Sequence, residues 1–197
     1  MHRPDKSNMY RNRGGIRSCI LKPGLYDRKY IIMNVRFQQP DDIENIRHIH
    51  LEAFETDVEA SLVDALRDSG VELISLVAEN RGEIVGHILF SPVSMDGICR
   101  IMGLAPMAVL PNWQGKGVGT QLVNDGLQAC EKAGYEVVVV LGHADYYPRF
   151  GFAPSINFGI KSEYDVPPEV FMVKTLRDGA LDGITGTVKY HPIFNEI

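Results

Sequence analysis

Cysteine is scarce: Cys19, Cys99 and Cys130 are the only three in 197 residues, an odd number at wide spacing. That excludes a disulfide framework and a zinc ribbon, and it leaves reduced, structural thiols as the expectation. Long apolar runs are lacking too. No stretch approaches the roughly 18 to 20 residues of a membrane helix, and the N-terminus has no continuous apolar core of a secretory signal. A soluble, cytoplasmic protein is therefore expected. His48 and His50 stand two apart on an expected helix, so they face different ways and make no metal pair. Internal repeats and low-complexity tracts are also missing. With 45% hydrophobic and 23% charged residues, the chain suits one domain with a sizeable core.

Charge is unevenly placed. Before Met33 stand Arg3, Lys6, Arg11, Arg13, Arg17, Lys22, Arg28 and Lys29 against only Asp5 and Asp27. Without apolar periodicity, residues 1–32 read as a basic, flexible N-terminal extension, or as upstream sequence ahead of a start at Met33. Residues 33–197 read as the folded domain and are acidic. An acidic balance argues against nucleic acid as the partner and mildly favours an amine.

Within that domain, NVRFQQP reads as a strand stopped by Pro40. DDIENIRHIHLEAF places Ile43, Ile46, Ile49 and Phe54 on one helical face, and EASLVDALRDSG repeats the signal with Leu62, Val63 and Leu66. ISLVAENRGEIVGHILFSPV is a hairpin around ENRG. CRIMGLAPMAVL is a strand with Pro106 inside it. Proline cannot donate to a ladder, so an edge, a bulge or a parting of strands is expected there. VGTQLVNDGLQACEKAG follows as a helix capped by Gly134, and YEVVVVLG as a central strand buried on both faces. Strand, helix and strand make a βαβ unit. FGIKSEY, VFMVKTL and GTVKY are expected to extend the same sheet.

The most informative stretch is VLPNWQGKGVGTQLV, with Gly115, Gly117 and Gly119 at alternate positions between a strand and a helix. A helix N-terminus offers unpaired N–H groups and a positive dipole end, and glycines let a phosphate approach the backbone. Lys116 would add charge at the rim. A nucleotide P-loop needs GxxxxGK followed by Ser or Thr, and a dinucleotide fold needs GxGxxG; GKGVGT is neither.

Gln114 to Gly119, QGKGVG, matches the Q/R-x-x-G-x-G/A signature of the GCN5-related N-acetyltransferases (GNAT). YYPRFGF, Tyr146 to Phe152, is similar to their second signature, with a tyrosine four residues before the glycine of a terminal Gly-Phe pair. The resemblance spans Asn34 to Tyr190, and LGHADYYPRFGF resembles a branch of bacterial and archaeal acetyltransferases. It implies an α/β fold: a mixed sheet splayed between two parallel strands and flanked by helices. It implies acetyl-CoA as cosubstrate and no metal. The cofactor residues it implies are Met107, Ala108 and Val109 on the distorted strand, with Gln114, Gly115, Lys116, Gly117, Val118, Gly119 and Thr120 at the pyrophosphate.

By position before Gly151, Tyr147 matches the family's acid, and a phenol with an ordinary pKa of about 10 holds its proton at neutral pH. IMGLAPMAVL has no carboxylate, so the base stays open among His143, Asp145, Glu55 and Glu59. His143 has the most suitable ordinary pKa, about 6.5. The expected activity is acetyl transfer to a primary amine, in a ternary complex. The alternative is a non-catalytic acyl-CoA-binding sensor or interaction module that keeps the glycine loop without an effective acid and base. The acceptor is expected to be a small molecule or peptide, with a homodimer as an open option and neither nucleic acid nor membrane as partner.

Overall fold

The structure, a computed structural model, describes residues 33–96 and 98–197. The expected basic extension over residues 1–32, and Cys19 with it, lies outside the described residues. The chain runs β1 (Asn34–Phe37), α1 (Ile43–Ala53), α2 (Val58–Asp68), β2 (Ile74–Asn80), β3 (Glu83–Met95), β4 (Ile98–Val109), α3 (Val118–Lys132), β5 (Val137–Leu141), β6 (Ala153–Pro154), β7 (Ile160–Ser162), β8 (Phe171–Thr175) and β9 (Gly186–Val188). Among the described residues no helix is long and apolar enough to cross a membrane.

The main sheet has the order β1-β2-β3-β4-β5-β8-β6. Among the described residues its single parallel pair is β4 with β5, joined through α3 as the βαβ pattern requires. The β2–β3 hairpin closes on Arg81 and Gly82, both at positive φ (52° and 87°), the conformation of a type I′ turn. VFMVKTL joins the sheet as β8, antiparallel to β5. FGIKSEY and GTVKY do not. Their β7 and β9 pair with each other in a separate parallel ribbon, because β8 already occupies the free edge of β5. Ile160 and Val188 of that ribbon are buried with Phe171 and Val173, so it covers a face of the sheet rather than lengthening it.

Sequence alternation explains the two faces. Val138 and Val140 of β5 point to α3, where Leu122, Val123 and Cys130 meet Phe90 and Met102. Val137 and Val139 point the other way, to the C-terminal segment. On that same face α1 and α2 bury Ile46, Ile49, Leu62 and Leu66 against Val77, Leu89 and Ala108. Each such side chain contributes roughly 1.5 to 3 kcal/mol by leaving water. Cys130 is fully buried, and burial pushes its thiol up to about 12, as expected of a structural, unreactive cysteine.

Two histidines, one on α1 and one on β3, meet in the interior. His50 and His87 are both 0% exposed, with His50 Nε2 2.8 Å from His87 Nδ1 and His87 Nε2 2.8 Å from Ser75 Oγ. The Ser75 hydroxyl donates to Gln38 Oε1 at 2.6 Å, so it accepts from His87 Nε2–H, and His87 Nδ1 accepts from His50 Nε2–H. Both rings are neutral in this chain of bonds. Burial lowers the His50 pKa to about 4 and holds His87 well below its ordinary value. The unfolded chain therefore binds more protons below pH of about 6.5, and stability falls as pH drops from there through 4. His50 alone is expected to cost about 2 kcal/mol by pH 5. Thermal melts between pH 7.5 and 4.5 check this; an unchanged melting temperature across that range would contradict it.

Candidate active site

The parting of strands begins where sequence placed its proline. The last β4–β5 pair is Leu104 with Val140, and β4 continues to Val109 on β3 alone. Against β3 the register passes from Leu104 opposite Phe90 to Met107 opposite Ile88, so Ala105 and Pro106 oppose the single Leu89. That is a bulge, and Pro106 has no N–H to offer a neighbour. Beyond it, Leu110 N–H donates to Val85 O at 3.0 Å. Backbone groups of alternate residues point to opposite sides, so Ala108 faces β3 while Met107 and Val109 turn their amides into the gap. Gln114 Nε2 donates to the Val109 carbonyl there, at 3.0 Å.

At one end of the gap sits the glycine turn. Gly115 and Gly117 have φ of 69° and 90°, in the left-handed region, and a Cβ at either would meet nothing within 4 Å. These two are open turn positions, with Gly117 as the N-cap of α3. The first helical bond runs from Gln121 N–H to Gly117 O at 3.0 Å, which leaves the amides of Val118, Gly119 and Thr120 at the positive end of α3 without a helical acceptor. Gly119 is closely approached instead of open. A Cβ there would lie 2.7 Å from the Tyr146 hydroxyl, which itself hydrogen-bonds the Thr120 side chain.

Tyr147 also lines the gap. It is 7% exposed, and its ring lies so close to Gly142 that a Cβ would come within 2.4 Å of Cε2. Phe152 meets the ring edge-on at 5.6 Å and Tyr146 at 5.1 Å. Burial, aided by Tyr146, pushes the hydroxyl pKa up to about 12. Gly142→Ala is expected to lower stability by about 1 to 3 kcal/mol, since overpacking must move ring or strand. Urea unfolding reads that cost, and a midpoint unchanged from the parent would contradict the contact.

These parts line one cavity of about 860 Å³ that passes between β4 and β5. Gly115, Gly117, Thr120, Tyr146 and Arg149 form one end. Phe54 after α1, Glu59 and Leu62 of α2, and Tyr164, Tyr190 and Phe194 of the C-terminal segment form the other.

The expected residues divide accordingly. Met107, Val109, Gln114, Gly115, Gly117, Gly119 and Thr120 line the cavity, and so do Tyr147 and His143. Ala108, Lys116 and Val118 do not. Ala108 pairs with His87 and is buried toward α1 and α2; Val118 is buried under α3; the Lys116 ammonium lies 5.2 Å from the Trp113 ring. Of the other candidate bases, Glu55 and Asp145 are exposed and lie outside the cavity wall, whereas Glu59 lines it with Oε2 buried and without a hydrogen-bond partner.

Arg149, Tyr164, Tyr190 and Phe194 were not singled out by sequence. Arg149 lay inside YYPRFGF, yet its role depends on a contact: the guanidinium sits 4.5 Å from the Tyr146 ring centre, and Nε donates to Tyr146 O at 2.9 Å. No local pattern marks the two tyrosines. Among the described residues no group of three or more His, Cys, Asp or Glu is placed to hold a metal ion.

The residues present fit a ligand with a pyrophosphate and a long amide-bearing arm. Free helix-end donors stand beside two open glycines, and unpaired strand amides line the adjoining slot. Comparison with known proteins gives the same class. Residues 72–154 match the family model described as "Acetyltransferase (GNAT) domain". The chain is 38% identical over 165 residues to the N-acetyltransferase YhbS of Escherichia coli strain K12, covering 83% of this chain and 99% of that one. The crystal structure of Escherichia coli YhbS in complex with CoA has a TM-score of 0.80 at 37% identity, covering 83% of this chain and 92% of that one. A GNAT-family acetyltransferase from Brucella melitensis in complex with acetyl-CoA gives 0.69 at 34% identity, over 84% and 99% of the two chains. The chain belongs to the GNAT family of acetyl-CoA-dependent N-acetyltransferases.

Proposed function

We propose that the chain transfers the acetyl group of acetyl-CoA directly to a primary amine while both substrates are bound. The observation that carries this reading is the continuity of the cavity. It runs from a helix N-terminus, suited to a pyrophosphate, past Tyr147 to an end walled by α2 and the C-terminal segment. Two substrates entering from opposite ends would meet where β4 and β5 part. The CoA-bound and acetyl-CoA-bound structures of the two relatives support acetyl-CoA as the cosubstrate, and the free helix-end amides favour the glycine end for it. A cytoplasmic setting belongs to this reading, and the acceptor is a small molecule or a peptide.

Each residue then has a task. The amides of Val118, Gly119 and Thr120, reached across Gly115 and Gly117, hold the pyrophosphate oxygens. The amides of Met107 and Val109 pair with the pantetheine arm and stabilise the thioester oxygen as negative charge develops on it. Tyr147 donates to the departing thiolate. Its raised pKa keeps it protonated throughout the neutral range, and the proton shed by the attacking nitrogen replaces the one it gives up. For deprotonating the amine, His143 and Glu59 both line the cavity. The experiment that tests the reading is a thiol-release assay with acetyl-CoA and primary amines, in which release must depend on the amine.

A further inference from the structure

Three polar atoms among the described residues are buried, lack a hydrogen-bond partner and belong to residues of the same cavity: Glu59 Oε2, Tyr164 Oη and Tyr190 Oη. A buried polar atom left unpaired costs about 1 to 3 kcal/mol, so three on residues that wall one cavity leave unused hydrogen-bonding capacity for a polar visitor. Tyr190 is 8% exposed and its ring centre lies 5.5 Å from that of Tyr164 and 5.1 Å from that of Phe194. Phe194 also packs against the cluster that holds Leu62 and Val63 of α2, which joins the tyrosine pair to the helix bearing Glu59. Phe54, Val58 and Leu62 give the rest of this end an apolar wall.

Charge sharpens the picture. The cationic or titratable nitrogens that line the cavity belong to Arg149 and His143, both in the segment after β5. Arg149 is bound to Tyr146, beside Gly119 and Thr120, at the cofactor end. Among the residues that line it, the far end therefore has one carboxylate and two phenols in an apolar surround; the Glu163 carboxylate, outside the lining, accepts from Tyr190 N–H behind the tyrosine pair. A cation is balanced there, and a carboxylate next to it has no partner.

We propose that Glu59, Tyr164 and Tyr190 form the acceptor subsite, and that the acceptor is a primary amine on an apolar or aromatic body with no carboxylate beside the nitrogen. This rests on the acetyltransferase reading above. Glu59 binds the ammonium and takes one proton from it, while the tyrosine hydroxyls orient the nitrogen. The neutral amine attacks the thioester carbonyl, a C–N bond forms and the C–S bond breaks. Tyr147 protonates the thiolate, and the second proton shed by the nitrogen restores the tyrosine. The products are the N-acetylated amine, the CoA thiol and the proton that Glu59 passes to solvent.

The test measures thiol release from acetyl-CoA with 2-phenylethylamine and with phenylalanine, in the parent protein, Glu59→Gln and Tyr190→Phe. A parallel titration follows 2-phenylethylamine binding to CoA-saturated protein. Expected are a kcat/KM at least about 100-fold higher for 2-phenylethylamine, and a loss of at least about 100-fold in Glu59→Gln. Amine affinity should fall about tenfold or more in Glu59→Gln and several-fold in Tyr190→Phe, with acetyl-CoA affinity and melting temperature preserved, which excludes misfolding. Glu59→Gln within threefold of the parent, or phenylalanine used as well as 2-phenylethylamine, overturns the subsite. Turnover of neither amine, or of another amine untouched by Glu59→Gln, does so too. Acetyl-CoA binding with no amine-dependent release from any primary amine would instead overturn the acetyltransferase reading itself.

Discussion

A Gly117→Glu variant is expected to lose acetyl-CoA, with Kd raised at least about 100-fold, or about 2.7 kcal/mol. Two effects act together. At φ of 90° Gly117 occupies a conformation that costs an L residue roughly 1 to 2 kcal/mol. The carboxylate would also stand at the N-terminus of α3, among the amides assigned to the pyrophosphate, and would compete for the same donors. Gly117→Ala separates the two. Nothing lies within 4 Å of a Cβ there, so alanine bears the strain alone, without a clash. It should weaken binding by about tenfold or less. Calorimetric titration of both variants decides the matter: equal affinities would mean that the turn shapes the loop without meeting the phosphates.

Tyr147→Phe is expected to lower kcat by about 10² to 10⁴, or about 3 to 5 kcal/mol of barrier, with acetyl-CoA affinity preserved. The substitution keeps the ring that Gly142, Phe152 and Tyr146 hold in place and removes only the hydroxyl. A hydroxyl whose pKa is pushed up to about 12 is a poor acid toward water yet stays protonated throughout the working range. Its value lies in being present, dry and close when the thiolate leaves. A kcat within threefold of the parent would assign the proton to solvent or to another group. A protein that only senses acyl-CoA would show no turnover to lose in either form.

The parts legible in sequence were those whose cause is local. Pro106 forbade a regular ladder, and the bulge lies at Ala105 and Pro106. Gly115 and Gly117 announced a backbone that L side chains resist, and both have positive φ. The run Val137 to Val140 could only be a strand buried on both faces, and its four valines are buried. Gly119 looked like its neighbours in the motif, but a Cβ there would meet the hydroxyl of Tyr146, a residue 27 positions away that no spacing rule connects to it. Ala108 and Lys116 shared the motif's neighbourhood, yet strand alternation turned one toward β3 and the Trp113 ring drew the other aside. FGIKSEY and GTVKY have the composition of strands, and composition cannot say which edge is still free. Tyr164 and Tyr190 reach the cavity from the far end of the chain, so only the assembled fold brings them to Glu59's cavity.

The central claim is direct transfer within one cavity, and initial rates of thiol release test it most directly. Acetyl-CoA and a primary amine, chosen as the fastest of a panel that includes 2-phenylethylamine, would both be varied. Double-reciprocal lines that intersect are the predicted result, because both substrates must be bound before the C–N bond forms. Parallel lines would reveal an acetylated enzyme intermediate, and release no faster with any amine than without one would remove the transferase account; either result contradicts it.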